Sequence, residues 1–452
     1  MRWLGLDVHK DFAEVAEALP GGNVRQLGRI RTTPAELRAF AESLRPDDQL
    51  ALEATINTFA VARLLEEHAG RVVISNPMRT RAIADAKIKT DRVDAGVLAQ
   101  LLAADYLPAV WQPDETTRVI RRLVARRAHI VRQRTRLKNQ VHAILHRNLV
   151  NGCTATDLFG IRGRAWLESC SLPDDERDLL GSCLRLFDFL TEELAAADRA
   201  CAEAATARDD VRRLMTVPGI DFAIALALLA AIGDIQRFPA PQKLVSYFGL
   251  DPRVRQSGNQ PSASGLRITK VGRAHARAML VEAAWAVART PGPLRAFFDR
   301  VRARRGPQIA AVALARKLAV LTWHLLTRGE DYLWARPALV AAKYRRLDLR
   351  AGAPGRRGQR GAAANYWASA ESRERDRALP TAAEAEYRQL TANWRQRARA
   401  TAADGREGRG RPKGEATVWP AAGRAAEVAF PSSALLHGVD RAQMEDRPAQ
   451  RA

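Results

Sequence analysis

The sequence predicts an α/β domain at the N-terminus, then mostly helical segments, then a basic tail expected to be disordered. Three observations carry this. Within residues 1–110, strand-length apolar runs alternate with helix-length amphipathic stretches in the order β-β-β-α-β-α-β-α. Within residues 114–150, Leu123, Ile130, Leu137 and Ile144 recur every seventh position. Beyond residue 345, segments such as R-A-G-A-P-G-R-R-G-Q-R-G and G-R-E-G-R-G-R-P-K-G take over. The expected divisions are 1–110, 111–208, 209–345 and 346–452.

The first strand is R-W-L-G-L-D-V, residues 2–8. Residues 12–19 and 24–31 read as two more strands, joined by the turn P-G-G-N. Thr33 and Pro34 open a helix running to about Leu44. Q-L-A-L-E-A at 49–54 is a short buried strand. A helix at 58–68 and a strand at 71–75 follow, and the last helix of the domain runs from Asp91 to about Ala104. Three antiparallel strands thus lead into parallel strands with helical crossovers.

The net charge of +22 and a pI near 10.8 imply a polyanionic partner, most simply nucleic acid. The charge is uneven: residues 111–150 carry ten lysines and arginines against two acids, whereas the first 110 residues are nearly balanced. No apolar run reads as long enough to span a bilayer, so no membrane partner is expected. The N-terminus lacks the h-region and cleavage site of an export signal. The expected location is the cytoplasm, in association with the nucleoid. Cys153, Cys170, Cys183 and Cys201 form no C-x-x-C pair and read as reduced, small apolar residues.

Four carboxylates fall where this topology can gather them. Asp7 lies in the first strand and Glu53 ends the fourth. Asp91 and Asp94 share one face of a first helical turn, beside Lys87, Lys89 and Arg92. On a simpler reading Asp91 is an N-cap and Asp94 an acid facing the helix dipole. If strands one and four lie side by side, the four acids converge and need cations to neutralise them. Two Mg²⁺ ions about 4 Å apart would do so and would clamp the oxygens of a phosphodiester.

The element order and these acids resemble an RNase H-type, RuvC-like nuclease domain. The segments G-L-D-V-H-K, A-L-E-A-T and K-T-D-R-V-D-A resemble the D-E-D-D signature of the IS110-family (IS110/IS1111) transposases. His9 shares a strand face with Asp7 and is either a contact to phosphate or metal or, the favoured reading, a neighbouring polar residue.

The basic helix at 114–150 reads as a coiled coil that dimerises or packs between domains, although Arg127 and Arg134 interrupt its second seam. Its outer face carries Arg121, Arg122, Arg126, Arg132, Arg136 and Lys138, positioned to hold nucleic-acid backbone. Residues 155–208 read as acidic helices, with turns near Gly163, Pro173 and Gly181, packed on the basic helix.

L-M-T-V-P-G-I-D, ahead of the apolar stretch F-A-I-A-L-A-L-L-A-A-I-G, resembles a helix-hairpin-helix. After K-L-V-S-Y-F-G-L-D-P comes a polar loop with Ser257, Ser262 and Ser264. Arg253, Arg255, Arg267, Lys270 and Arg273 surround these serines. Such a loop is either a surface linker or a phosphate grip that holds a nucleophile. The block Y-F-G-L-x-P-x-x-x-Q-S-G with G-x-I-T-K-x-G resembles the C-terminal transposase domain of the same family. The resemblance places the catalytic serine directly before a glycine in this loop. That position is Ser257, with Ser264 as the weaker match.

The resemblance covers residues 1–345 and implies a DNA transposase or recombinase. In it, the acids and Ser257 form one composite centre, the serine makes a transient 5′- or 3′-phosphoserine link, and Mg²⁺ assists. It also implies an element-encoded structured RNA and a dimer or tetramer. Two other readings stay open: a RuvC-like structure-specific endonuclease using metal-activated water, and a non-catalytic nucleic-acid-binding protein. The tail is either a nucleic-acid-binding arm or an extension without function, the latter favoured.

Overall fold

Alternation along the first strand decides how the N-terminal domain is layered. The computed structural model describes residues 1–83, 90–254, 267–355 and 370–407. Strand β1 (Trp3–Val8) turns Leu4, Leu6 and Val8 to one side of the sheet and Trp3, Gly5 and Asp7 to the other. It pairs antiparallel with β2 (Phe12–Ala18), which pairs antiparallel with β3 (Val24–Arg31). On its other edge β1 pairs parallel with β4 (Gln49–Glu53), and β4 with β5 (Arg71–Ser75). The sheet order is therefore β3-β2-β1-β4-β5. The sequence reading of five strands in this sense is matched to within two residues at each end.

Helices α1 (Pro34–Glu42) and α2 (Thr58–Glu66) cover one face. There Leu4, Leu6, Leu50 and Leu52 pack with Leu37, Ala41, Val61 and Leu65. Helix α4 (Asp91–Ala103) covers the other face, with Leu98 and Leu102 against Ala51 and Val73. Gly5 lets α4 lie close. A Cβ at that position would overlap the Ala95 carbonyl oxygen and stand 2.6 Å from the Ala99 nitrogen. A short helix, α3 (Pro77–Ile83), precedes α4 and was not expected from the sequence.

The long basic helix is α5 (Glu115–Arg147), capped by Asp114, whose carboxylate accepts from Thr117 N at 2.7 Å. After α6 (Ile161–Ser169) comes α7 (Asp174–Thr206), with three acids in its first turn facing the positive end of its dipole. Ion pairs Arg126–Glu193, Arg127–Asp198 and Arg147–Glu176 show that α5 and α7 run antiparallel. Ile130, Leu137 and Ile144 are buried, and Leu137 and Ile144 pack with Leu167, Leu180 and Phe187. The heptad positions thus pack within the chain, on its own acidic helix. Gly163 and Gly181 make no turns: they lie inside α6 and α7, while Pro173 does open α7.

The largest core joins α8 (Asp209–Met215), α9 (Phe222–Ile232), α10 (Pro241–Tyr247), α11 (Ala274–Val287), α12 (Pro293–Arg305) and α13 (Pro307–Arg328). Ile120 and Val124 of α5 belong to it too. Helix α13 is long and apolar enough to cross a membrane by length and composition, contrary to the sequence reading. Its Leu314, Ala315, Leu318 and Ala319 are fully buried in this helical core. The cysteines are free, and three of the four are buried.

Helix α14 (Pro337–Arg350) and helix α15 (Ala370–Glu407) extend into the stretch expected to be disordered. The chain divides into two units, Met1–Tyr387 and Arg388–Ala452. In the first unit, Asp376 accepts from Arg336 Nε at 2.8 Å and Ala338 N at 3.1 Å, and Glu384 accepts from Gly292 N at 2.9 Å. Composition alone could not show these tertiary partners. In the second unit, the described residues 388–407 are helical.

Candidate metal centre and nucleic-acid site

The acids meet at the C-terminal ends of the two central strands. Asp7 is 6% exposed near the end of β1, on the face covered by α4. The β1–β4 register runs to Leu6 opposite Leu52, and its continuation sets Asp7 beside Glu53 on the same face. Gly5, two residues before Asp7, brings α4 down, and with it Asp91 and Asp94 in the first turn.

Thr90, not Asp91, is the N-cap of α4: its hydroxyl accepts from Val93 N at 3.3 Å. Asp91 is the first helical residue, and its carboxylate turns to His9. His9 Nε2 lies 3.1 Å from Asp7 Oδ2 and 3.3 Å from Asp91 Oδ1. Donor atoms of Asp7, His9 and Asp91 all lie within 4.8 Å of one another. Burial pushes the Asp7 carboxyl above the usual carboxylate range. The charges of Asp94 and Asp91 push the same way, and His9 opposes them. Asp94 is therefore within electrostatic reach of Asp7.

The centre has supports that the sequence reading passed over. Asn57 Nδ2 donates to the His9 carbonyl at 3.0 Å, and Thr58 Oγ1 to the Glu53 carbonyl at 2.7 Å, so the two strand ends are tied together. Glu14 sits opposite Asp7 in the β1–β2 register, is 2% exposed, and accepts from Arg29 Nε at 2.8 Å. The signal for Glu14 is an acid on a strand whose other residues, Glu17 apart, are apolar. His9 packs on Phe12 with ring centroids 4.8 Å apart, and the Arg29 guanidinium lies 3.8 Å from the Phe12 centroid.

Chemically, two carboxylates and an imidazole with donor atoms within 4.8 Å of one another, and Asp94 in electrostatic reach, form an oxygen- and nitrogen-donor set that suits a divalent cation. The buried Asp7 carboxyl, already raised by two neighbouring acids, is what such an ion would relieve.

The expected serine loop has a firmly built base. Pro252 bridges Ile268, Arg253 N donates to Arg267 O at 3.0 Å, and Thr269 N to Asp251 O at 2.8 Å. Gly249 (φ +69°) and Gly272 (φ +130°) let this neck close against the end of α10, where Arg273 N donates to Tyr247 O at 3.1 Å. Ser257, Ser262, Ser264 and Arg255 lie outside the described residues, as do Lys87 and Lys89.

The expected nucleic-acid contacts divide. Arg136 and Arg273 are exposed. Arg122 pairs with Glu115 and Arg126 with Glu193. Lys138 lies 4.7 Å from the Phe159 ring centroid. Arg253 Nη2 donates to Thr269 O at 3.4 Å, and Lys270 has a left-handed backbone (φ +57°).

The hairpin turn between α8 and α9 is gripped from behind. Lys343 of α14 donates to the carbonyls of Met215, Val217 and Ile220 at 2.7, 2.7 and 2.9 Å. Asp221 caps α9 through Ile224 N at 2.9 Å.

Residues 4–148 match the family profile of the DEDD transposases of IS110 type, described as a transposase. Residues 211–299 match the profile described as transposase IS116/IS110/IS902 family. Among relatives, the putative transposase y4qE of Sinorhizobium fredii is 28% identical over 290 residues, 63% of this chain and 71% of that protein. The transposase for insertion sequence element IS1111A of Coxiella burnetii is 29% identical over 255 residues, 54% of this chain and 68% of its own length. The pilin gene-inverting protein of Moraxella bovis is 30% identical over 195 residues, 42% and 52% of the two chains.

Proposed function

We propose, for a chain that belongs to the IS116/IS110/IS902 family of transposases, that it mobilises an insertion sequence by serine attack on DNA phosphodiesters at a metal-assisted acidic centre. The observation that carries the proposal is the convergence of Asp7, Asp91 and His9, with Asp94 in electrostatic reach and Glu53 beside Asp7 by register.

Asp7, Glu53, Asp91 and Asp94 would hold Mg²⁺, two ions being the number that four carboxylates on DNA call for. Bound Mg²⁺ supplies charge neutralisation at the phosphodiester oxygens. The chain's own part is to hold the carboxylates in alignment. Gly5 and Asn57 set the spacing of their elements, and His9 orients Asp7 and Asp91.

Ser257 is the proposed nucleophile. Its Oγ–P bond forms as the phosphorus–oxygen bond to the leaving sugar breaks, and the serine proton passes to a base or to the departing oxygen. A sugar hydroxyl from the partner strand then attacks the phosphoserine and restores the serine. No bond energy is lost to water, so no nucleotide cofactor is needed. The described neck at Pro252–Ile268 supports a loop held at a fixed exit. A structured RNA encoded by the element, and a dimer or tetramer acting on two duplexes, complete the proposal. The division at 1–110, 111–208 and 209–345 assigns the acids, the basic helical pair and the serine loop to successive segments, with 346–452 as an appended tail.

One assay tests it. The protein, Mg²⁺, the element's DNA ends and its flanking RNA are incubated and probed for a protein–DNA adduct. The expected result is an adduct that Ser257→Ala abolishes. Persistence of the adduct in that variant removes Ser257 from the role. The four acids of the proposed centre all lie within residues 1–94, so strand cutting without any adduct would instead favour a structure-specific endonuclease that uses water. Strand chemistry left intact in Asp7→Ala would remove the acids from catalysis.

A further inference from the structure

Three arginines from different parts of the chain gather at the C-terminal end of α9. Arg121 of α5 donates from Nε to Ala230 O at 2.7 Å and from Nη2 to Ala231 O at 3.4 Å. Arg237 donates from Nε to Ile232 O at 2.9 Å and from Nη2 to Ala231 O at 3.5 Å. Arg273, directly after the serine loop, donates from Nε to the Tyr247 hydroxyl at 2.7 Å, and that hydroxyl donates to Ala231 O at 3.2 Å.

Aromatic rings fix the group. The Arg237 guanidinium lies 4.2 Å from the Trp111 centroid, 4.3 Å from Phe238 and 4.5 Å from Tyr247, and Arg121 lies 5.3 Å from Trp111. Gly233 (φ +62°) carries no Cβ where one would overlap the Trp111 ring, so the ring lies directly on the chain.

The charge count is what needs an explanation. A helix C-terminus offers about half a negative charge, against three guanidiniums. Among the described residues, no carboxylate pairs with Arg121, Arg237 or Arg273 by hydrogen bond or ion pair. The three feel one another. Burial, then the charges of Arg273 and Arg237, hold Arg121 below its ordinary pKa. Burial would raise the Tyr247 hydroxyl, but the charges of Arg273 and Arg237 outweigh it and bring the hydroxyl below its ordinary range. Each guanidinium has five N–H donors and uses one or two on these partners. Capping α9 needs one cation, whereas three with spare donors describe a site for an anion.

We propose that Arg121, Arg237 and Arg273, gathered around Tyr247 and Trp111, bind one backbone phosphate of the DNA. The site joins the basic helix α5 to the neck of the loop that carries Ser257. It therefore seats the duplex against the segment that is to attack it. This inference rests on the DNA-acting function proposed above, but not on its chemistry.

The test measures binding alone, in EDTA, so that failure of the serine or the acids leaves it unaffected. Binding of a random-sequence duplex of about thirty base pairs is followed by fluorescence anisotropy from about 50 to 300 mM KCl. For the double variant Arg121→Gln with Arg273→Gln, the slope of log K against log salt should shrink by about one, with affinity reduced roughly tenfold near 100 mM. Arg237 stays on the Ile232 and Ala231 carbonyls, so the cap survives. The exposed Arg38→Gln should leave the slope unchanged. An unchanged slope in the double variant, with or without a lowered Tm, would mean that the arginines only cap α9. A slope lost on an RNA duplex but kept on DNA would overturn the assignment to DNA.

Discussion

Asp91 reaches from the first turn of α4 to within 3.3 Å of His9 Nε2, and so ties the helix to the end of the strand that carries Asp7. This imidazole sits between two carboxylates on different elements, with Asp94 adding charge from the same first turn of α4. Without a divalent ion the arrangement is under electrostatic stress.

Thermal unfolding should report that stress. The folded-state pKa of Asp7 is raised, so the native state binds the extra proton. The stability that this proton confers is present below the unfolded value of 3.8 and is lost as pH rises through the folded value. At neutral pH in EDTA, Asp94→Asn should therefore raise Tm by about 1 °C, the equivalent of roughly 1 kcal/mol in a chain of this size. Mg²⁺ or Mn²⁺ should raise the Tm of the parent protein and have much less effect on the variant. A variant with lower Tm and an undiminished metal response would sink the metal assignment.

Gly5→Ala tests whether the depth of α4 sets the site. The added Cβ meets main-chain atoms of Ala95 and Ala99, which cannot swing aside as a side chain can. The helix must lift, carrying Asp91 and Asp94 away from Asp7. Overpacking of this kind costs about 1–3 kcal/mol or more. Both Tm and the metal response should fall. If calorimetry shows Tm unchanged, the close approach is not what positions the acids.

The α/β half was legible because each of its signals is local. Alternation in R-W-L-G-L-D-V, the Thr33–Pro34 start and the carboxylates at strand ends all follow from neighbours in sequence. What stayed hidden depends on partners far away in the chain. The seam of Ile130, Leu137 and Ile144 looks the same whether its partner is a second copy or α7. Thr90 took the cap from Asp91 because a hydroxyl one residue earlier reaches Val93 N, and both residue types are good caps. His9 gave no sign of bridging Asp7 and Asp91 because Asp91 is more than eighty residues away. The tail's helix was masked by a composition that reads as unstructured, since the residues that fix it lie on α12 and at the start of α14.

Lys343 supplies a pH-dependent prediction. Burial pushes its pKa from 10.5 down to about 7, and three carbonyl acceptors at 2.7–2.9 Å engage the three donors of an ammonium. The unfolded chain binds the proton more tightly, so stability should rise as pH climbs from about 7 toward 10. In Lys343→Met that rise should vanish. At pH 7 the hairpin carbonyls would lose their donor at a cost of about 1–3 kcal/mol. Denaturant melts at pH 7 and pH 9.5 measure both effects. A parallel pH slope in the two proteins would show that Lys343 is not the group titrating.

The first part of α15 should act as a structural element of the helical domain. Glu384 is 5% exposed and receives Gly292 N, at the start of α12, as well as the Arg295 guanidinium, with Arg295 Nη2 at 2.7 Å. Asp376 does the same for Arg336 and Ala338 at the start of α14. Removing one partner of a fully buried pair costs about 3–5 kcal/mol. Arg295 keeps about a third of its side-chain surface in water, so Glu384→Ala should lose about 2–3 kcal/mol, the lower end after solvent screening. Glu384→Gln, which retains an acceptor for Gly292 N, should lose less than half of that. A chain ended at residue 355 should lose at least as much as Glu384→Ala. Equal urea midpoints for the truncated and full chains would show that α15 adds nothing to the stability of the first unit.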